Sequence, residues 1–256
     1  MSARLEGIGV VLTRPRGAAD RVREELSREG ARIFLFPALE IEDIPLSAGV
    51  VRLLAGLDQF TLAIFVSANA VEKGLAAMRR SGPWPRGLAV AAIGEATAEA
   101  LRNSGFAAVI SPRERHDSDA LLALARLQSV KGEDIIVFRG EGGRVRLKEV
   151  LEARGARVAY AAVYRRVRPR TDCAPLAGAL ARGEVHAVSA LSAETLENFV
   201  DMIGAAAASR LATVALVVPH AAIASGAPAR RFARTVVSAH GAGGLADALA
   251  TLRVTT

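Results

Sequence analysis

Short apolar runs of strand character alternate along the chain with stretches of helical spacing. The runs at 8–13 and 32–36 flank a segment, 18–29, in which Val22 and Leu26 recur at helical spacing. Further runs of this kind lie at 60–66, 88–93, 109–110, 134–138, 158–164 and 214–218. Because nearly every position in these strands is apolar, the pattern predicts parallel sheets that helices cover on both faces.

The same order of elements returns after 125 positions without a gap. Arg14 falls on Arg139, and Ser67 falls on Ser192. The tripeptide Gly-Ala-Arg occurs at 30–32 and again at the same offset. So long a register predicts an internal duplication of one α/β unit. The offset fits two consecutive halves as well as two lobes that exchange their ends.

The loops that follow the strands carry the candidate binding residues, because ligands of parallel sheets meet the carboxyl ends of the strands. The candidates in these loops are Arg14, Ser67, Ala68, Asn69, Gly94, Thr97, Arg139, Gly140, Ser192 and His220. Free N–H groups at a helix start can hold a carboxylate or a phosphate. Plain helix capping selects the same small and hydroxyl residues, so spacing alone leaves both explanations open.

Three further positions allow a functional and a structural interpretation. The glycine-rich loop 139–143 resembles a backbone cradle for an anion, yet it lacks the Lys-Ser/Thr of a nucleotide-binding loop and is also explained as a flexible turn. The functional interpretation of His220 is an acid–base group or an anion donor, and the expected structural one is a neutral, partly buried histidine. Tyr164 falls on Leu39 of the first repeat, and this polar departure indicates a function, although packing at a strand end explains it equally well.

Composition limits the class of protein. The net charge of +7 favours an anionic partner or reflects an arginine-rich composition, and 4% aromatic residues argue against a nucleic-acid-binding protein. No apolar stretch reaches the roughly 18 residues of a membrane span, and the first ten residues lack the apolar core of a signal peptide. The single Cys173 and four scattered histidines predict a cytoplasmic protein without disulfide or metal site. We expect a polar loop over 111–117, followed by a helix over 120–127 that Ser118-Asp119 caps.

Several stretches together resemble the uroporphyrinogen-III synthase family from end to end. They are VVLTRPRGAA, FVSANAV, AAIGEATAEALRNSGF, DIIVFRGEGGR, LEARGARVAYAAVYRR and the weaker SALSAETLENF and VVPHAAIASGA. The resemblance implies two flavodoxin-like α/β lobes with parallel sheets, joined by a two-stranded connector. It implies that lobe 1 comprises 1–37 plus 168–256 and lobe 2 comprises 38–167, with connectors near 36–43 and 163–171. Tyr164 is then expected at the neck, beside the cleft.

The resemblance also implies a reaction. In this family hydroxymethylbilane, a linear tetrapyrrole with eight carboxylates, is cyclised with loss of water and inversion of ring D. Tyr164 matches the family's best candidate for assisting departure of the hydroxyl. The residues that match loops holding the substrate's carboxylates are Ser67, Ala68, Asn69, Gly94 and Thr97, and Arg139 and Gly140 match a further loop facing the same cleft. Arg14, Ser192 and His220 are additional candidates for binding the substrate. We expect a monomer without metal or organic cofactor, and a transient contact with the preceding pathway enzyme is kept open.

One departure from the family pattern concerns the C-terminal part of the chain. Val218 and Pro219 stand where the repeat would place the Ile-Gly of a turn, and Pro219 offers no N–H. We therefore expect that lobe to bind the substrate less tightly, or through His220. A competing hypothesis is a non-catalytic polycarboxylate-binding or regulatory protein of the same fold. A sugar-nucleotide or dinucleotide enzyme is disfavoured by the incomplete phosphate fingerprint.

Overall fold

The computed structural model describes residues 3–113, 117–143, 145–239 and 241–252. These residues belong to two compact units, each with its own sheet. Unit 1 comprises Met1–Glu40 and Val167–Thr256, and unit 2 comprises Ile41–Arg166. Residues 114–116 of the expected polar loop lie outside the described residues.

The strands and helices follow one another in a regular α/β succession. The strands are β1 (Gly9–Leu12), β2 (Arg32–Leu35), β3 (Glu40–Asp43), β4 (Leu62–Phe65), β5 (Ala89–Ala92), β6 (Asp134–Gly140), β7 (Arg157–Val167), β8 (Ala187–Ser189), β9 (Ala215–Val218) and β10 (Arg234–Val237). The α-helices are α1 (Arg16–Arg28), α2 (Ala48–Ala55), α3 (Ala68–Met78), α4 (Glu95–Asn103), α5 (Ser118–Leu122), α6 (Ala125–Gln128), α7 (Arg146–Ala153), α8 (Ala174–Ala181), α9 (Ala193–Ala208), α10 (Ala221–Ala224) and α11 (Gly241–Ala250).

Each sheet has the strand order of a doubly wound fold. In unit 1 the order is β10-β9-β8-β1-β2, and in unit 2 it is β3-β7-β6-β4-β5. The neighbouring strands of unit 1 pair in parallel throughout the order given. In unit 2, parallel pairing joins β7 to β6, β6 to β4 and β4 to β5. The unit 1 order places later strands outward on both sides of β1, as in flavodoxin-like sheets. The predicted α/β class with parallel sheets is confirmed.

Successive strand residues enter opposite cores, which explains why the strands are apolar at nearly every position. In unit 2, Ile136 and Phe138 pack with α3 and α4 on one face, whereas Ile135 and Val137 pack with α5 and α7 on the other. Unit 1 has the same arrangement, with α8 and α9 on one face and α1 and α11 on the other. The prediction that helices cover both faces is thus correct.

One predicted helix, over 120–127 with a cap at Ser118-Asp119, is wrong. Asp117 caps α5 instead, and its Oδ1 accepts the Ala120 N–H at 2.8 Å. Leu124 has extended backbone angles, so the chain forms two short helices. The Leu122 carbonyl, which a longer helix would use, accepts from the side chains of Gln128 and Arg154 at 2.8 Å each. Residues 109–110 form only one bridge, from Ile110 to Ala91.

Candidate active site

Eight of the eleven predicted site residues lie at one edge of the unit 2 sheet. Strands β4, β5, β6 and β7 run parallel, so their carboxyl ends share that edge. The residues that follow or end these strands are Ser67, Ala68, Asn69, Gly94, Thr97, Arg139, Gly140 and Tyr164. The fold therefore brings together residues that are up to 97 positions apart in the chain.

Tyr164 and Ser67 form the central contact at this edge. Tyr164 is only 5% exposed, and its Oη lies 3.0 Å from Ser67 Oγ. Ser67 is the N-cap of α3, and its Oγ accepts the Ala70 N–H at 3.0 Å. A serine hydroxyl has two lone pairs and one proton, so Ser67 can cap the helix and either donate to the phenol or accept from it.

A bulge in β7 turns Tyr164 towards Ser67. Arg139 pairs with Ala162, but the next residue, Gly140, pairs with Tyr164, so Val163 is the extra residue. Without this shift, alternation would place Val163 and Tyr164 on opposite faces of the sheet. Both instead belong to the core beneath α3. Bulges re-aim single side chains in this way next to active sites.

Helix α3 lies close against the sheet and thereby fixes Ser67. A Cβ atom on Gly74 would lie 2.8 Å from the Phe138 ring, closer than such atoms approach in proteins. Phe138 stacks on Phe65 with ring centroids 4.6 Å apart. Only glycine at position 74 allows this close approach of helix and strands.

The starts of α3 and α4 lie at the same edge, and the start of α3 presents open backbone N–H groups. Among the described residues, the amides of Ala68 and Asn69 have no acceptor, as expected for the first turn of a helix. Gly94 caps α4 without a side-chain hydrogen bond, and Thr97 is buried in the first turn. Asn69 and Thr97 are therefore not N-caps, whereas Ser67 is.

Arg139 lies on the other face of the sheet from Tyr164. Its guanidinium carbon is 4.4 Å from the centre of the Tyr160 ring, and its Nε donates to the Gly140 carbonyl at 3.2 Å. Lys148 Nζ lies 5.5 Å from the same ring. Tyr160 packs with the core beneath α5 and α7, so the aromatic ring holds a buried cation at the strand end.

The remaining three predicted residues belong to unit 1. Arg14 follows β1, and burial lowers the pKa of its guanidinium; no carboxylate in the described parts of the chain pairs with it. Ser192 caps α9 and its Oγ accepts the Thr195 N–H at 3.1 Å. His220 stands before the four-residue helix α10 and is exposed, so its expected partial burial is wrong.

Sequence reasoning missed two features of this edge. The first is Tyr160 beneath Arg139, which the alternation of β7 could have indicated. The second is the direct contact of Ser67 with Tyr164, which depends on the bulge and has no signal in the residue pattern. In the described residues, no three His, Cys, Asp or Glu side chains are placed to hold a metal ion.

Comparison with known proteins assigns the chain to a family. The family model described as uroporphyrinogen-III synthase HemD matches residues 20–245, which is most of the chain. The chain belongs to this family. It is therefore an enzyme of the uroporphyrinogen-III synthase type, a lyase of tetrapyrrole biosynthesis, as the resemblance implied.

Individual members of the uroporphyrinogen-III synthase family agree with this assignment. The uroporphyrinogen-III synthase of Salmonella typhimurium is 35% identical over 170 residues, covering 64% of this chain and 68% of that protein. The enzyme of Escherichia coli K12 is 29% identical over 197 residues, covering 77% and 80% respectively.

Solved structures of uroporphyrinogen III synthases share the fold. A mutant of the Thermus thermophilus enzyme has a TM-score of 0.64 at 21% identity and covers 97% of this chain and 100% of its own. The Helicobacter pylori 26695 enzyme has a TM-score of 0.60 at 12% identity, covering 97% and 99%. Every helix in the described ranges is too short or too polar to span a bilayer.

Proposed function

We propose that this chain cyclises hydroxymethylbilane to uroporphyrinogen III, with loss of water and inversion of ring D, and that Tyr164 assists the departure of the hydroxyl. The observation that carries the assignment of Tyr164 is its 3.0 Å contact with Ser67 at the carboxyl edge of a parallel sheet. Membership of the uroporphyrinogen-III synthase family supports the substrate.

The phenol of Tyr164 acts as a hydrogen-bond donor to the leaving hydroxyl. Ser67 Oγ already accepts the Ala70 N–H, so its own proton is available to the phenol oxygen. When Ser67 donates to Tyr164, the phenol proton is directed at the substrate. Hydrogen bonds in such a chain polarise one another, which makes the phenol a better donor than an isolated tyrosine.

We propose that the reaction then proceeds in three steps. The carbon–oxygen bond of the hydroxymethyl group breaks, the hydroxyl leaves as water with the proton that Tyr164 donates, and a cationic tetrapyrrole remains. The substituted carbon of the terminal ring attacks this cation and gives a spiro compound. This compound reopens and recloses with ring D inverted, and the proton released on reclosure restores the phenol.

Open backbone N–H groups hold the carboxylates of the substrate. The amides of Ala68 and Asn69 offer donors at the start of α3. The start of α4, at Gly94 and Thr97, adds the positive end of a second helix dipole. Binding at several such points holds a flexible chain in a cyclisable shape. The further candidates for binding a carboxylate are Arg139 and Gly140 in unit 2 and Arg14, Ser192 and His220 in unit 1.

We also propose that the protein is a monomer and that it acts in the cytoplasm.

The proposal is tested with freshly generated hydroxymethylbilane and no added metal or cofactor. Products are oxidised and the uroporphyrin isomers are separated by chromatography, with and without the protein. Closure without inversion gives isomer I, so the isomer ratio itself reports catalysis. We expect predominantly isomer III with the protein. Isomer I alone, from protein with a cooperative melting transition, would contradict the proposal and favour a non-catalytic polycarboxylate-binding protein.

A further inference from the structure

Gly140 lies directly beneath the ring of Tyr164. A Cβ atom at position 140 would be 2.7 Å from Cε2, 2.9 Å from Cζ and 3.2 Å from Cδ2 of that ring. Carbon atoms in contact normally stay about 3.5–4.0 Å apart. The edge that carries the hydroxyl is nearest, so any side chain at this position would displace the reactive end of Tyr164.

The backbone of Gly140 does not itself require glycine. Its φ is not in the left-handed region, whereas Gly142 and Gly143 in the same loop have φ of 68° and 86°. Gly140 ends β6 in an ordinary strand conformation that alanine adopts equally well. The ring of Tyr164 is therefore the reason that a side chain is excluded here.

The bulge places the ring over this glycine. Because Val163 is the extra residue, Gly140 pairs with Tyr164, and the Glu141 N–H donates to the Tyr164 carbonyl at 2.8 Å. The ring thus has Gly140 beneath it and Ser67 at its hydroxyl. Two independent contacts, one steric and one polar, define its position.

We propose that Gly140 is a positioning residue for the reaction: it forms a seat for the Tyr164 ring that keeps the phenol oxygen at Ser67. The inference rests on the proposed function of Tyr164. A methyl group at position 140 moves the ring by about 1 Å to restore normal carbon contacts. A shift of that size stretches the 3.0 Å contact to Ser67 beyond hydrogen-bond length and turns the donor away from the leaving group.

The test combines Gly140→Ala, Tyr164→Ala and the double variant in the full chain. Gly49→Ala is the matched control, because its added Cβ meets only Ser47 Oγ at an ordinary 3.7 Å. Rates of isomer III formation give kcat and KM. The chain has two tyrosines, so 3-fluorotyrosine labelling yields two fluorine signals in NMR, assigned with Tyr164→Phe. The Tyr164 signal reports the ring position without any turnover.

We expect Gly140→Ala to lower kcat by about tenfold to a hundredfold, with KM changed by less than about threefold, because it misplaces a catalytic group. The Tyr164 fluorine signal shifts, the Tyr160 signal stays, and Gly49→Ala changes neither. In the Tyr164→Ala background the added methyl has no effect on kcat. We also expect Gly140→Ala to lower Tm in the chain that has Tyr164 but not in the Tyr164→Ala background, because only the ring of Tyr164 clashes with the added methyl group.

An equal loss of kcat in both backgrounds would overturn the inference, because Gly140 would then act on the substrate rather than on the tyrosine. An unchanged Tyr164 signal in Gly140→Ala would overturn it too. If the unmodified chain forms no isomer III, the proposed function fails, while the fluorine signals and Tm values still decide whether Gly140 seats the ring.

Discussion

At the scale of single residues, one oxygen atom of Ser67 has two roles. It caps α3 through the Ala70 N–H and contacts the phenol of Tyr164. Removing this oxygen therefore has a structural cost and, on the proposed mechanism, a catalytic cost, and the two can be measured separately. Ser47 is a matched cap in the same unit, since its Oγ accepts the Val50 N–H at 3.2 Å and no catalytic group contacts it.

We expect Ser67→Ala and Ser47→Ala to lower the free energy of unfolding by similar amounts, about 1 kcal/mol each, through loss of a cap. Only Ser67→Ala also lowers kcat for isomer III, by about fivefold to tenfold, which corresponds to one hydrogen bond of about 1 kcal/mol. Ser67→Thr keeps the hydroxyl and retains most of the rate. Urea unfolding and initial rates measure both effects. Equal kcat values for Ser67→Ala and Ser47→Ala would remove Ser67 from the mechanism.

At the scale of elements, β6 is anchored at its start by charges and carries the site at its end. The Glu133 carboxylate, just before β6, accepts from two guanidinium nitrogens of Arg126 at 2.9 and 2.6 Å and from the Thr61 hydroxyl at 2.8 Å. The Arg126 hydrogen bonds, followed by that of Thr61, hold the pKa of Glu133 below its ordinary value. The anchor thus stabilises the strand when the carboxylate is ionised.

We expect Glu133→Gln to lower the free energy of unfolding at pH 7 by up to about 1 kcal/mol, because the pair is partly exposed. A depressed pKa stabilises the fold above the ordinary value, and this contribution is lost as the pH falls through the depressed one. In urea unfolding, the stability difference between Glu133→Gln and the unmodified chain therefore narrows as the pH falls below the ordinary glutamate pKa.

Two comparisons complete this test. The exposed ion pair of Glu152 and Lys148 is the control. We expect Glu152→Gln to change the free energy of unfolding by less than about 0.5 kcal/mol, both at pH 7 and at acidic pH. The kcat at pH 7 stays unchanged in Glu133→Gln, because Glu133 lies at the strand start and the site lies at the strand end. If the stability difference between Glu133→Gln and the unmodified chain became larger at acidic pH, the stabilising role of the ionised Glu133 carboxylate would be contradicted.

At the scale of the whole molecule, the sequence predicts the fold class better than the contacts of the site. The strands are apolar at nearly every position because residues such as Ile135 and Ile136 enter opposite cores, and that signal is local. The choice of strands that share a sheet has no local signal in the sequence. Strand β1 pairs with β8 across 177 positions, and the repeat alone would fit two consecutive halves equally well. Apolar strand residues carry no preference for one partner strand.

The same distinction applies to the site. Ser67 at a helix start is readable from the chain, because caps and anion sites select the same residues. The contact between Ser67 and Tyr164 is not readable, because it depends on the extra residue Val163 in β7. The binding roles assigned to the loop residues remain predictions.

The most direct measurement of the central claim compares Tyr164→Phe with Tyr160→Phe in the isomer III assay. Each variant loses one phenol oxygen of unit 2, but the Tyr160 hydroxyl donates to the Val145 carbonyl, whereas the Tyr164 hydroxyl contacts Ser67 Oγ. We expect Tyr164→Phe to lower kcat by about a hundredfold with little change in Tm, as for loss of a proton donor, and Tyr160→Phe to retain the rate. Full activity of Tyr164→Phe with unchanged melting would contradict the role of Tyr164.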